Sequence, residues 1–185
     1  MKMRKLLCLL LCLLMLVSLA ACGDKDNDDK GGKSGGKTAK PETIVEKFGD
    51  CFIDADVAGI FDLINPDMME YAMEEEGMSK SDLNEMADEL NEQLTTMYEY
   101  IEEMTGEKLN MSFEIADQWD LDEDELADIQ DEYDAADVKI EEGKVFEVEL
   151  TMEVAGQAET QSMELVVVKI GGKWYLEPSA MENLG

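Results

Sequence analysis

The sequence predicts an α+β domain, with helices first and an antiparallel sheet after them. Two observations carry that expectation. Apolar residues recur at helical spacing from Ile44 to Met104, then alternate with polar ones from Leu109 onward, as in a half-buried strand. Near the end, Gly171-Gly172 separates the apolar run Met163–Ile170 from Lys173–Leu176, as a tight hairpin turn would. A third observation sets the limits of the domain. Residues 23–40 hold no apolar side chain larger than Ala39, so they have nothing to bury and read as a disordered tether. The expected organisation is a signal peptide over 1–21, a tether over 22–40 and one folded domain over 41–185.

The first segment, MKMRKLLCLLLCLLMLVSLAAC, has a basic start, an apolar run from Leu6 to Val17, and small residues after it. That is the form of a secretory signal, because a spanning helix needs about 20 apolar residues and this run is shorter. Its end, Leu19-Ala20-Ala21-Cys22, resembles the lipobox of bacterial lipoproteins. The resemblance implies that Cys22 receives a diacylglyceryl group and becomes the first residue after cleavage. The protein would then sit on the outer face of the cell membrane, its partner there being the bilayer itself. One acyl chain holds only marginally, whereas two or more on one residue make a lasting anchor. Cys8 and Cys12 would leave with the signal, so Cys51 would remain alone, without a disulfide partner.

The tether contains Gly31–Thr38, GGKSGGKT, which matches the phosphate-cradling pattern G-x-x-x-x-G-K-[ST] letter for letter. A working loop of that kind needs a buried strand before it and a helix opening on its Lys-Ser/Thr. Here the polar run Asp24–Lys30 precedes it, so no nucleotide is expected. As a tether, Gly23–Lys40 would average about 25 Å end to end and reach about 60 Å when straight. That is enough to hold an acidic domain off an anionic membrane.

In the domain, Pro41 and Glu42 open a first helix carrying Ile44, Val45, Phe48, Cys51, Phe52 and Ala55. Asp56 caps a short second helix with Val57, Ile60, Phe61 and Ile64. Asn65-Pro66 starts a third, which Gly77 stops. Ser79-x-x-Asp82 resembles a capping box and opens the longest helix, with a stripe from Leu83 to Met104, ended by Gly106. Leu109, Met111, Phe113 and Ile115 then alternate as a strand. Asp122-x-x-Glu125 opens a short acidic helix with Leu126 and Ile129, and Val138 and Ile140 are expected to form a short strand. In Lys144–Val154, Phe146, Val148, Leu150, Met152 and Val154 face one way, and Glu147, Glu149, Thr151 and Glu153 the other. Met163–Ile170 is apolar on both faces and should be central.

This order resembles the small lipoproteins of Gram-positive bacteria with a cystatin-like or nuclear-transport-factor-2-like domain. The elements that carry the resemblance are PETIVEKFGDCF, the long middle helix, LDEDELADI, and the ending VVVKIGGKWYL. It implies a curved, cone-like sheet wrapped against helices around a pocket. Enzymes on such a fold use an Asp–His pair or a buried acid beside a tyrosine. The chain has no histidine, which excludes the first arrangement along with histidine triads and histidine-based zinc sites.

Formal charge is −30 overall, and residues 41–185 alone carry 41 acidic and seven basic groups. Such a field repels nucleic acid and anionic lipid and attracts cationic partners. Asp120–Asp131 places acids at calcium-loop positions 1, 3, 5, 9 and 12, but Glu125 stands where the loop needs glycine, and Leu126–Ile129 reads as helix. No metal, cofactor or catalytic set is therefore expected. Trp119, at an element boundary, and Tyr98, on the long helix, are the candidate pocket residues. The methionines read mainly as core filling and alternatively as an adaptable groove. Cys51 reads as a packed, inert thiol. The function expected is a lipid-anchored, non-enzymatic domain binding a small apolar molecule or a protein. The alternatives are an enzyme pairing a buried carboxyl with Tyr98, Tyr100 or Tyr133, and an acidic surface docking cationic peptides or envelope polymers.

Overall fold

The computed structural model describes residues 40–177. The signal 1–21, Cys22 and the tether up to residue 39 lie outside the described residues, as do residues 178–185. Five helices and four strands follow in the order α1 (Pro41–Ile53), α2 (Val57–Phe61), α3 (Pro66–Glu76), α4 (Lys80–Thr105), β1 (Asn110–Asp120), α5 (Glu123–Asp134), β2 (Glu142–Val154), β3 (Gln157–Ile170) and β4 (Lys173–Glu177). The strands form one open antiparallel sheet in the order β1-β2-β3-β4, so the class is α+β. Among the described residues no helix is long and apolar enough to cross a membrane.

Local chemistry sets the helix ends. The Asp56 side chain accepts from Gly59 N, and Asn65 accepts from the Asp67 and Met68 amides. Ser79 and Asp82 form a complete capping box, as do Asp122 and Glu125. The bonds from the Ser79 hydroxyl and amide hold the Asp82 carboxyl below its ordinary value. Gly77 and Gly106 close α3 and α4 in the left-handed conformation.

The main core lies between the helices and the inner face of the sheet. Val45 of α1 and Val57 of α2 meet Phe146, Val148, Leu165, Val167 and Leu176, all fully buried. Tyr98 of α4 donates to the Phe52 carbonyl at 3.1 Å, and the Asn91 side chain accepts from Val57 N at 2.8 Å. These two bonds tie the long helix across the ends of α1 and α2. Gly49 lets the Phe113 ring lie against the α1 backbone, where any Cβ would overlap it. The second cluster lies on the outer face, where Tyr133 of α5 packs with Val145, Val166 and Val168, flanked by Leu126 and Ile129.

Two expectations change. The first strand does not stop at Ile115. An extra residue, Ala116, shifts the register between Ile115↔Val148 and Asp117↔Glu147, and β1 continues to Asp120. This bulge reverses the strand's parity, so that Phe113 and Ile115 face inward while Asp117 and Trp119 face outward. Val138 and Ile140 are buried but form no strand. The Gln130 side chain takes the place of a neighbouring strand: its amide N–H donates to Val138 O at 2.9 Å and its carbonyl accepts from Ile140 N at 2.8 Å.

Candidate functional site

Three places on the domain gather polar or exposed chemistry. The first is the far half of α4. The buried residues of this helix are Leu83, Ala87, Leu90 and Leu94, so beyond Leu94 no side chain is fully buried. A shallow depression of about 530 Å³ runs along the middle of the helix on either side of Leu94, lined by Glu89, Glu92, Gln93, Thr96, Met97 and Tyr100. All six belong to one helix at spacings of three and four, so they form an open face and enclose nothing. Tyr100 is 60 % exposed, and Met104, one turn further on, is 70 % exposed.

The second place is the outer face of the sheet. In the row through Asp117, Glu147 and Glu164, three carboxylates stand directly opposite one another. In the next row Glu114 faces Glu149, with Ser162 beyond. Like charges in direct register across strands destabilise the sheet. The row beyond that holds the hydroxyls of Ser112, Thr151 and Thr160, and Thr151 and Thr160 bond each other at 2.8 Å. Helix α5 covers the other end of this face, leaving the acidic end open to solvent.

The third place is beneath α5. Glu177 and Tyr133 are each 1 % exposed. Burial first, then the neighbouring charge of Glu177, and finally Glu132, push the Tyr133 hydroxyl far above its ordinary value. Glu177 enters this cluster because Gly171 and Gly172, both at positive φ, form a two-residue turn. That turn pairs Ile170 with Lys173 and Val166 with Glu177, so the carboxyl must share the outer face with Val166. This is a buried acid beside a tyrosine, and neither group is open to solvent. It ties β4 to α5.

The residues singled out from sequence fall apart in space. Tyr98 belongs to the inner core; its ring packs there and its hydroxyl is committed to Phe52 O. Burial raises its pKa to about 12. Trp119, 38 % exposed, lies on the outer face opposite Val145. The sheet separates the two, so they do not share a pocket. Trp174 is buried beneath Lys169, whose ammonium sits 5.9 Å from its ring centre. Cys51 is half-buried, and burial together with Asp56, Asp50 and Asp54 raises its pKa, which disfavours the reactive thiolate. Residues 120–131 wind into α5 from Glu123, so the acids spread around a helix instead of converging as loop ligands.

No model of a known protein family matches the chain. None of the curated proteins compared with it matches either. Sequence patterning gave an exposed methionine face only as the alternative to core filling, since Met97 and Met104 sit in the same helical stripe as core residues and Met97 does pack against them. It missed Glu177 although the glycine turn and the both-faced apolar strand before it were sufficient to bury that carboxyl.

Proposed function

We propose that this chain is a lipid-anchored protein of the outer membrane face, held by Cys22, whose folded domain is a non-enzymatic binding module that works through its outer surface. One observation carries the binding reading: the space between helices and sheet is occupied by the chain's own side chains, with Val45, Phe146, Leu165 and Leu176 fully buried there. The order of helices and strands is in keeping with the cystatin-like or nuclear-transport-factor-2-like resemblance. A cone of that kind would receive a small ligand internally, and here apolar residues fill that volume. The acid–tyrosine pair an enzyme would need, Glu177 with Tyr133, is sealed under α5. The outer surface, by contrast, offers an uncovered acidic sheet face and an open helix face. The tether would hold these surfaces clear of the bilayer.

The deciding experiment is native mass spectrometry of the chain after exposure to envelope extract. The expected result is a domain free of any retained small molecule. A discrete retained mass of a few hundred daltons would sink the surface-binding reading. The anchor is tested separately: Cys22→Ser should release the chain from the membrane fraction, and continued partitioning with membranes would overturn lipidation at Cys22.

A further inference from the structure

We propose that the stripe Met97–Tyr100–Met104 on α4 is a docking surface for a cationic amphipathic helix. The inference rests on the reading of the domain as a surface-binding module and names the site and the partner's chemistry. The three residues are spaced by three and four, so they lie along one line on α4 beyond Leu94, its last buried residue; Met97 is half-buried against the core, and the face opens at Tyr100 and Met104. Their exposure is large where it matters, at 60 % for Tyr100 and 70 % for Met104. Methionine thioethers adapt to irregular apolar partners, and tyrosine presents a broad ring at low conformational cost.

The charge around the stripe decides what covers it. Helix α4 carries eight acids and a single lysine, Lys80, at its start. Glu89 and Glu92 line the same depression as Met97 and Tyr100. A second copy of the domain would bring like charges together along the whole contact, and anionic lipid or nucleic acid would be repelled for the same reason. A small molecule would find one wall and no enclosure, whereas ligand sites bury most of the ligand's surface. The remaining fit is an elongated partner with an apolar line for the stripe and basic residues for the glutamates. A helix laid alongside α4 supplies both, with anchors at positions i, i+3, i+4 and i+7.

The test uses the full chain in neutral phosphatidylcholine nanodiscs, with empty nanodiscs as the blank. The probe is a fluorescent 18-residue helix of leucine and lysine; a leucine–glutamate helix with the same apolar face is the control. The lysine helix should bind saturably, at least about tenfold more tightly than the glutamate helix. Replacing Tyr100→Ser and Met104→Ser together should weaken it by about tenfold, the scale of losing one central anchor. Both side chains are exposed, so the fold should survive, which circular dichroism would check. Glu147→Gln with Glu149→Gln and Glu164→Gln on the sheet should leave binding nearly unchanged. If those three abolish binding while the α4 pair does not, the site is wrong but surface docking stands. Equal binding of the two helices overturns the charge argument. No binding of either overturns the partner class, and the mass-spectrometry experiment still decides the surface-binding reading by itself.

Discussion

The two faces of the sheet are built on the same four strands and end in opposite conditions. The inner face is apolar along most of its length, and α1 with its neighbours packs onto it through Val45, Phe48 and Phe52. The outer face is divided. Its end at Val145, Val166 and Val168 lies under α5, while its other end sets the exposed Asp117 and Glu164 on either side of the half-buried Glu147 in one cross-strand row. A face that buries side chains stabilises the fold in proportion to the area removed from water. The open acidic rows contribute no such term and add repulsion. The contrast separates the part of the domain that holds the fold from the part left open to solvent.

The largest expected effect tests the inner face. Phe146→Ala removes a fully buried ring and should cost about 3–5 kcal/mol, read as a shift in the denaturation midpoint at constant slope. A loss below about 1 kcal/mol would mean that the inner face is not close-packed. The covered half of the outer face is tested by Gln130→Ala. It leaves Val138 O and Ile140 N without their side-chain partner and should cost about 1–3 kcal/mol. Hydrogen exchange at the Ile140 amide should accelerate in the same variant; unchanged protection there would show that the glutamine is dispensable.

Alkaline pH separates the faces by another route. Tyr98, on the inner side, keeps its proton to about pH 12, while an unfolded tyrosine loses it near 10. Between those values the unfolded chain binds fewer protons than the native one, so stability falls as pH rises. Tyr133, raised further still by burial and Glu177, contributes with the same sign from the outer side. Tyr98→Phe should flatten part of that fall in pH-dependent unfolding curves, and an unaltered curve would contradict the burial of this hydroxyl. The smallest effect is expected on the open acidic rows. Glu147→Lys replaces repulsion from Asp117 and Glu164 with attraction and should stabilise by about 0.2–1 kcal/mol at low salt. The gain should shrink as salt screens it. A loss of stability instead would show that the row is compensated by something other than solvent.

Much of the fold was legible because it is decided within a few residues along the chain. The Asn65 cap, the Ser79–Asp82 and Asp122–Glu125 boxes and the Gly171-Gly172 turn all act over two to four positions, and each appears where the sequence places it. The alternation in Lys144–Val154 likewise assigned Phe146 and Glu147 to opposite faces before any partner strand was known. The bulge at Ala116 was not legible, since no glycine or proline marks it, and it alone turns Trp119 away from Tyr98. Nor was the strand-like use of Gln130, because a polar residue in an acidic helix looks solvated until residues 138–140 fold beneath it.

The sequence by itself thus determined the order of helices and strands, the caps and glycine turns that bound several of them, and, through the Gly171-Gly172 turn, the pairing that puts Glu177 on the face of Val166. Only the tertiary structure decided which half of the outer face α5 covers, that apolar side chains pack between helices and sheet, and that Tyr100 and Met104 stay exposed on α4. Those outcomes depend on contacts between residues far apart in the chain, such as Tyr98 with Phe52 and Asn91 with Val57. Apolar periodicity states that a residue seeks burial. Whether a partner element arrives to bury it is settled by packing across such distances, which is why Met104 shares a pattern with core residues and remains exposed.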